Sequence, residues 1–249
     1  MTEYDVLTIA WCAASLAVAG VVKGVLGIGI PLVSIALLSL MISVPEAVVL
    51  LPVPIVVANI WQSFRGGHFK VAVHRFWPLI AALVAGTAAG ALMLKRVDTH
   101  VLQVIIGAAV IVFALTSLTN PELRVPAGAE RWAGALAGAL GGVLGGMSTL
   151  YGPPIIMYLV SLHLPKDQFV GFIGALYLIG AVVLLVMLTG FRVMGPAELA
   201  ASAFATLPLL AGMFLGQRLR DRVSQNLFRT GLLITVMLIG AGLLIRAVV

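Results

Sequence analysis

Gly20-Val21-Val22-Lys23-Gly24-Val25-Leu26-Gly27, set beside Gly138-Ala139-Leu140-Gly141-Gly142-Val143-Leu144-Gly145, decides how this chain is built. Both strings carry glycines within otherwise apolar sequence. A proline follows each, Pro31 after the first and Pro153 and Pro154 after the second. Further on, Gly86-Thr87-Ala88-Ala89-Gly90 matches Gly212-Met213-Phe214-Leu215-Gly216, with Arg96-Val97 and Arg222-Val223 at the same offset. Motifs that recur in one order signal a duplicated architecture. The halves meet at 120–130, a polar, proline-bearing linker. This gives a first membrane repeat at 1–120 and a second at 121–249.

The surrounding composition says what solvent these repeats need. Of 249 residues, 61% are hydrophobic and 10% charged, and the mean hydropathy is +1.16. A soluble domain carries roughly a quarter charged residues. Lipid is therefore the solvent, and at about 20 residues per span the chain has room for roughly eight to ten segments. Barrel strands alternate apolar and polar residues, whereas 101–115 and 232–245 are apolar all round. The net charge of +6 sits in short loops, where headgroups and the positive-inside rule place it, and does not point to nucleic acid. Cys12 is the only cysteine, so neither an internal disulfide nor a zinc motif is expected. The start Met1-Thr2-Glu3-Tyr4-Asp5 lacks the basic opening of a secretory signal, so the first apolar run is expected to be retained.

Each half reads as five segments: 6–23, 30–43, 47–64, 76–94 and 101–119, then 132–146, 153–163, 169–190, 197–217 and 227–246. The second of each half is too short for a core of about 30 Å. Glycine and proline separate it from the segment before. A broken or re-entrant short helix in each half is expected, and such backbone is tolerated at membrane depth only against protein or a water-filled cavity. Charge favours inverted repeats. With the loop holding Arg65, Lys70 and Arg75 in the cytoplasm, Arg124, Arg131, Lys166, Arg218, Arg220, Arg222 and Arg229 fall on the same side. Lys95, Arg96, Arg192 and Arg246 fall outside. Parallel repeats would spread the charge evenly, against the positive-inside rule. The expected fold is an all-α membrane protein of two tandem, inverted repeats.

Chemistry is expected at the two breaks. A helix that restarts leaves its first N–H groups unpaired, and those groups with the helix dipole attract an anion. Gly24, Gly27, Gly29 and Pro31 form one break; Gly145, Gly146, Ser148, Thr149, Tyr151, Gly152 and Pro153 form the other. Proline suits a first helical turn, where its missing N–H is not needed. The competing reading is that the glycines only let helices pack closely, which is the reading taken for Gly86, Gly90, Gly212 and Gly216. Lys23 is the one lysine embedded in an apolar segment, and a charge there is a functional candidate; it could equally snorkel to headgroups. Asn59 and Gln62, three apart on one helix face, could line a polar path or bond between helices.

The acidic residues, Glu3, Asp5, Glu46, Asp98, Glu122, Glu130, Asp167, Glu198 and Asp221, fall in loops or at segment ends. Cation pumps and proton relays place carboxylates mid-membrane, so the pattern favours anions. His68, His74, His100 and His163 form no cluster, so no metal site is expected. The Gly-x-x-Gly-x-Gly string lies between apolar helices without a βαβ unit, so it is not a dinucleotide fingerprint. No cofactor and no enzymatic activity are expected.

Gly20, Gly24, Gly27, Gly29 and Pro31, together with Gly142, Gly145, Gly146, Gly152, Pro153, Pro154, Tyr158 and Leu159, resemble the motifs of the TauE/SafE-type sulfite exporter family of membrane permeases, over nearly the whole chain. The resemblance implies a secondary transporter in the cytoplasmic membrane, without ATPase parts, for small sulfur-containing anions such as sulfite, sulfoacetate, other organosulfonates or thiosulfate. Lys23 in the first motif stands where the second has Gly141. A carrier of another small organic anion and a non-transporting membrane scaffold are the alternatives. The expected partners are the anionic substrate and the bilayer, with room for a homodimer.

Overall fold

The computed structural model describes residues 5–64, 68–98 and 125–219, with scattered positions between 101 and 112. The described residues are helical, with no strand among them. In chain order the helices are α1 (Val6–Leu26), α2 (Ile30–Leu38), α3 (Val44–Leu50), α4 (Pro52–Phe64), α5 (His68–Arg75) and α6 (Trp77–Arg96). A 3₁₀ turn at Ala127–Ala129 leads into α7 (Glu130–Ser148), α8 (Gly152–Ser161), α9 (Lys166–Gly190) and α10 (Pro196–Leu219). The segment expected at 227–246 and most of that at 101–119 lie outside the described residues.

Among the described residues, five stretches are long and apolar enough to cross a membrane: Val6–Leu26, Val44–Phe64, Trp77–Leu94, Gln168–Gly190 and Pro196–Leu219. Their outward faces carry large apolar side chains, including Leu7, Ile9, Phe204, Leu207 and Phe214. Water would penalise such a surface, whereas lipid tails solvate it. Two elements differ from the sequence reading. The expected 65–75 loop is largely helix α5, with Ala72 fully buried and Lys70, Val71, Val73, His74 and Arg75 exposed. The expected segment 47–64 is two helices, α3 and α4, joined at Leu51.

Prolines explain that joint. Pro54 cannot donate to the carbonyl four residues back, which leaves Leu50 O without its helical partner. Ser202 on α10 supplies the replacement. Its hydroxyl donates to Leu50 O at 2.9 Å and accepts from Val53 N–H at 3.3 Å. An unpaired carbonyl in lipid is costly, so the kink needs this second helix beside it. At the other end of α3, Ser43 and Glu46 close a capping box, which satisfies two helix-start N–H groups at once.

Glycine sets the two closest helix pairs. A Cβ added at Gly20 or Gly24 of α1 would strike the backbone of α10 at Leu209 and Met213, and one at Gly212 or Gly216 would strike Ala17 and Val21 of α1. Position numbers rise together on the two helices, so α1 and α10 run parallel. The pair α6–α7 repeats the arrangement. Gly138, Gly142 and Gly146 seat on the backbone at Leu79, Leu83 and Thr87, and Gly86 and Gly90 on that at Ala139 and Val143. This is close small-residue packing of membrane helices, where backbone contact replaces side-chain interdigitation. The first helix of each half therefore packs on a helix of the other half. Between the pairs, α9 packs along α4. Phe172 in the first turns of α9 meets Phe76, just ahead of α6, edge to face at 5.2 Å between centroids.

These contacts also correct the repeat register. Gly20 meets Leu209 and Met213, and the residue that meets the corresponding Leu83 and Thr87 is Gly142, not Gly138. Gly24 likewise corresponds to Gly146. The sequence pairing is thus one helical turn out of step. A glycine stripe spaced by four matches itself after a shift of one turn, so the string alone could not fix the phase.

Candidate substrate site

Each half bends into a hairpin at its glycine–proline break. α1 ends on Gly27, in the left-handed region with φ +81°, whose N–H donates to Lys23 O. Gly29, with φ +108°, then opens α2, and Pro31 lies in its first turn. These are conformations that side chains with a Cβ rarely take. α2 folds back along α1, so that Trp11 Nε1 donates to Leu37 O at 2.8 Å. In the second half α7 ends on Thr149, which takes the left-handed cap at φ 62° without being glycine. Its N–H donates to Gly145 O and its hydroxyl to Ser148 O. α8 folds back along α7 and places Tyr158 against Gly134. Neither α2 nor α8 has a side-chain cap.

The two breaks come together. Ile28, Gly29, Pro31 and Leu32 from one half and Leu150, Gly152, Pro153 and Ile156 from the other line one cavity of about 40 Å³, closed on a further side by Tyr177 of α9. That is more room than one water needs. Uncapped helix starts from both halves meet there, and such starts present N–H groups and the positive end of a helix dipole. Of the residues expected at the site, Gly29, Pro31, Gly152 and Pro153 line the cavity.

The others take supporting positions. Lys23 is buried, with Nζ donating to Gly27 O and to Asn59 Oδ1, each at 2.8 Å. It forms no ion pair among the described residues. Asn59 in turn donates to Ile55 O, so the ammonium ties the end of α1 to α4. Gln62 Nε2 donates to Val170 O at 2.8 Å and ties α4 to α9. Gly24 and Gly146 lie in the helix seams described above. In the corrected register the counterpart of Lys23 is Gly145, not Gly141. A Cβ at Gly145 would collide with the ring of Tyr151, so the glycine leaves space that this aromatic fills. The Tyr151 hydroxyl donates to Gly180 O at 2.9 Å. Ser148 donates to Leu144 O.

Sequence reasoning missed Tyr177 and the apolar wall of Ile28, Leu32, Leu150 and Ile156. Adjacency to the two motifs could have suggested Ile28, Leu32 and Leu150. Tyr177 sits mid-run in the long apolar segment, where only its being a tyrosine sets it apart. A wider groove of about 510 Å³ opens at the end of the bundle, lined by His74, Arg75, Trp77, Arg131 and Tyr158 among others. Arg75 pairs there with Glu130 at 2.9 Å. Among the described residues no cluster of His, Cys, Asp and Glu could hold a metal ion.

Helical breaks from two parts of one chain meet at a small cavity between helices long and apolar enough to cross a membrane, an arrangement that suits a membrane transporter. The chain belongs to the TauE/SafE sulfite exporter family: the family model described as Sulfite exporter TauE/SafE matches residues 12–243, nearly the whole chain. At the level of the family this is a membrane transporter of sulfur-related anions, and not an enzyme. No curated protein and no solved structure matches the chain.

Proposed function

We propose that the protein is a secondary transporter that exports a small sulfur oxyanion or organosulfonate, sulfite being the simplest, across the cytoplasmic membrane, and that the anion binds where α2 and α8 begin. The observation that carries this reading is the shared cavity, which both breaks and Tyr177 of α9 line. A single broken helix would make one weak dipole site. Two helix starts aimed at one space reinforce each other in a medium of low dielectric.

The halves are read as inverted repeats. α1 and α10 end where α6 and α7 begin: Gly27 closing α1 lies against Val170 of α9, and Phe172 one turn on meets Phe76 ahead of α6. Lys70, Arg75, Arg131 and Arg218 then share one end of the bundle, with Arg96 and Arg192 at the other. The positive-inside rule puts the first end in the cytoplasm. The cationic rim of the wider groove lies at that end and would gather anions toward the bundle.

Purified protein in proteoliposomes, assayed for flux of sulfite, sulfoacetate, thiosulfate and a non-sulfur organic anion, tests the function. Saturable flux of the sulfur anions is expected. Flux of the organic anion alone would move the reading to another carrier, and no flux of any of them would favour a scaffold.

A further inference from the structure

The cavity has one polar side chain without a hydrogen-bond partner among the described residues. Tyr177 is 3% exposed, yet its hydroxyl has no hydrogen-bond partner among the described residues, while those of Tyr151 and Tyr158 donate to Gly180 O and Glu130 O. Buried tyrosine hydroxyls ordinarily find a partner. This one is directed at the first residue of α8: a Cβ built on Gly152 would stand 2.6 Å from it. It therefore lies at the cavity wall formed by the start of the second short helix.

The two helix starts are unequal, and this gives the hydroxyl a purpose. In α2 only Pro31 lacks an N–H in the first turn, so Ile30 and Leu32 keep theirs. In α8 both Pro153 and Pro154 lack one, and Gly152 alone offers a donor ahead of Ile155. The second half is thus the poorer anion seat by its backbone. Tyr177 restores a donor at that seat. Glycine at 152 keeps the approach open, since any side chain there would displace the hydroxyl. The rest of the wall, Ile28, Leu32, Leu150 and Ile156, supplies no side-chain donor.

Resting on the proposed function, we infer that Tyr177 is a substrate-binding residue whose hydroxyl donates to an oxygen of the bound sulfur oxyanion, in place of the N–H groups that Pro153 and Pro154 remove.

The test is calorimetric binding of sulfite and of sulfoacetate to the purified full chain, with Tyr177→Phe, Thr189→Val and Gly152→Ala beside the wild type. Tyr177→Phe is expected to weaken binding about tenfold without lowering the melting temperature, because the hydroxyl it removes bonds to none of the described residues. A purely structural tyrosine would show the reverse. Gly152→Ala is expected to weaken binding too, by pushing the hydroxyl aside. Thr189→Val is expected to leave affinity within about twofold, since its hydroxyl donates to Leu185 O within α9. Wild-type affinity in both Tyr177→Phe and Gly152→Ala overturns the role of Tyr177 while leaving the transporter reading intact. Failure of the wild type to bind either anion overturns both.

Discussion

Lys23 on α1 and Asn59 on α4 are joined Nζ to Oδ1 at 2.8 Å, and the same ammonium holds Gly27 O at 2.8 Å. A lysine in the interior of an apolar helix is thereby held by two carbonyl oxygens rather than by a carboxylate. The pair ties the last turn of α1, immediately before its break, to α4, and Lys23 is not among the residues that line the cavity.

Lys23→Met keeps the aliphatic bulk but strands Asn59 Oδ1 and Gly27 O. A stability loss of about 2 kcal/mol is expected from reversible unfolding in mixed micelles. Lys23→Met with Asn59→Leu removes the stranded amide, so the double variant should lose clearly less than the two single losses combined. Additive losses would show that the two side chains are not coupled.

Ser202→Ala leaves Leu50 O without the hydroxyl that replaces its helical partner. The expected cost is about 1–3 kcal/mol, read in the same unfolding assay. Ser202→Thr retains the oxygen and should recover most of the loss. If alanine proves as stable as serine, the kink is held by packing alone.

The glycine seams make a sharper contrast. Gly216→Val would drive its side chain into the backbone of Val21, and a loss of about 3 kcal/mol or more is expected as α1 and α10 separate. A Cβ added at Gly190, the last residue of α9, would meet no described neighbouring element within 4 Å. Gly190→Ala should therefore stay within about 0.5 kcal/mol of the wild type. Equal effects at the two positions would argue against close contact of α1 with α10.

Topology can be checked directly. In a Cys12→Ser background, Lys70→Cys and Arg218→Cys should both resist an impermeant thiol reagent in intact cells and both react after permeabilisation. Arg192→Cys should react in intact cells. Labelling of Lys70→Cys but not Arg218→Cys in intact cells would contradict inverted halves.

The sequence was most informative where chemistry is local. Glycine beside proline marks a helix break from composition alone, and Gly29, Pro31, Gly152 and Pro153 stand at the cavity. Among the described residues, hydropathy likewise located the long helices to within a few residues. What depends on distant contact was not readable. The partner of Lys23 is on another helix, and its Gly27 contact needs the geometry of the break. The glycine stripe is nearly invariant to a one-turn shift, so its phase needed the facing helices. α5 was hidden because it is short and charged, the composition also expected of a loop. Thr149 in a left-handed cap breaks the glycine preference on which helix-end signals depend.

The exchange of glycine seams between halves bears on how the chain is made. While the first half is being synthesised, α1 exposes a stripe of small residues whose seat, α10, has not yet been translated, and α6 waits in the same way for α7. The translocon must release α1 before its groove has a lid, leaving a stretch of bare backbone open to other proteins or to quality-control proteases. Separately expressed halves, 1–120 and 121–249, should accordingly each be degraded alone and rescued when produced together, with pulse-chase half-lives as the measure.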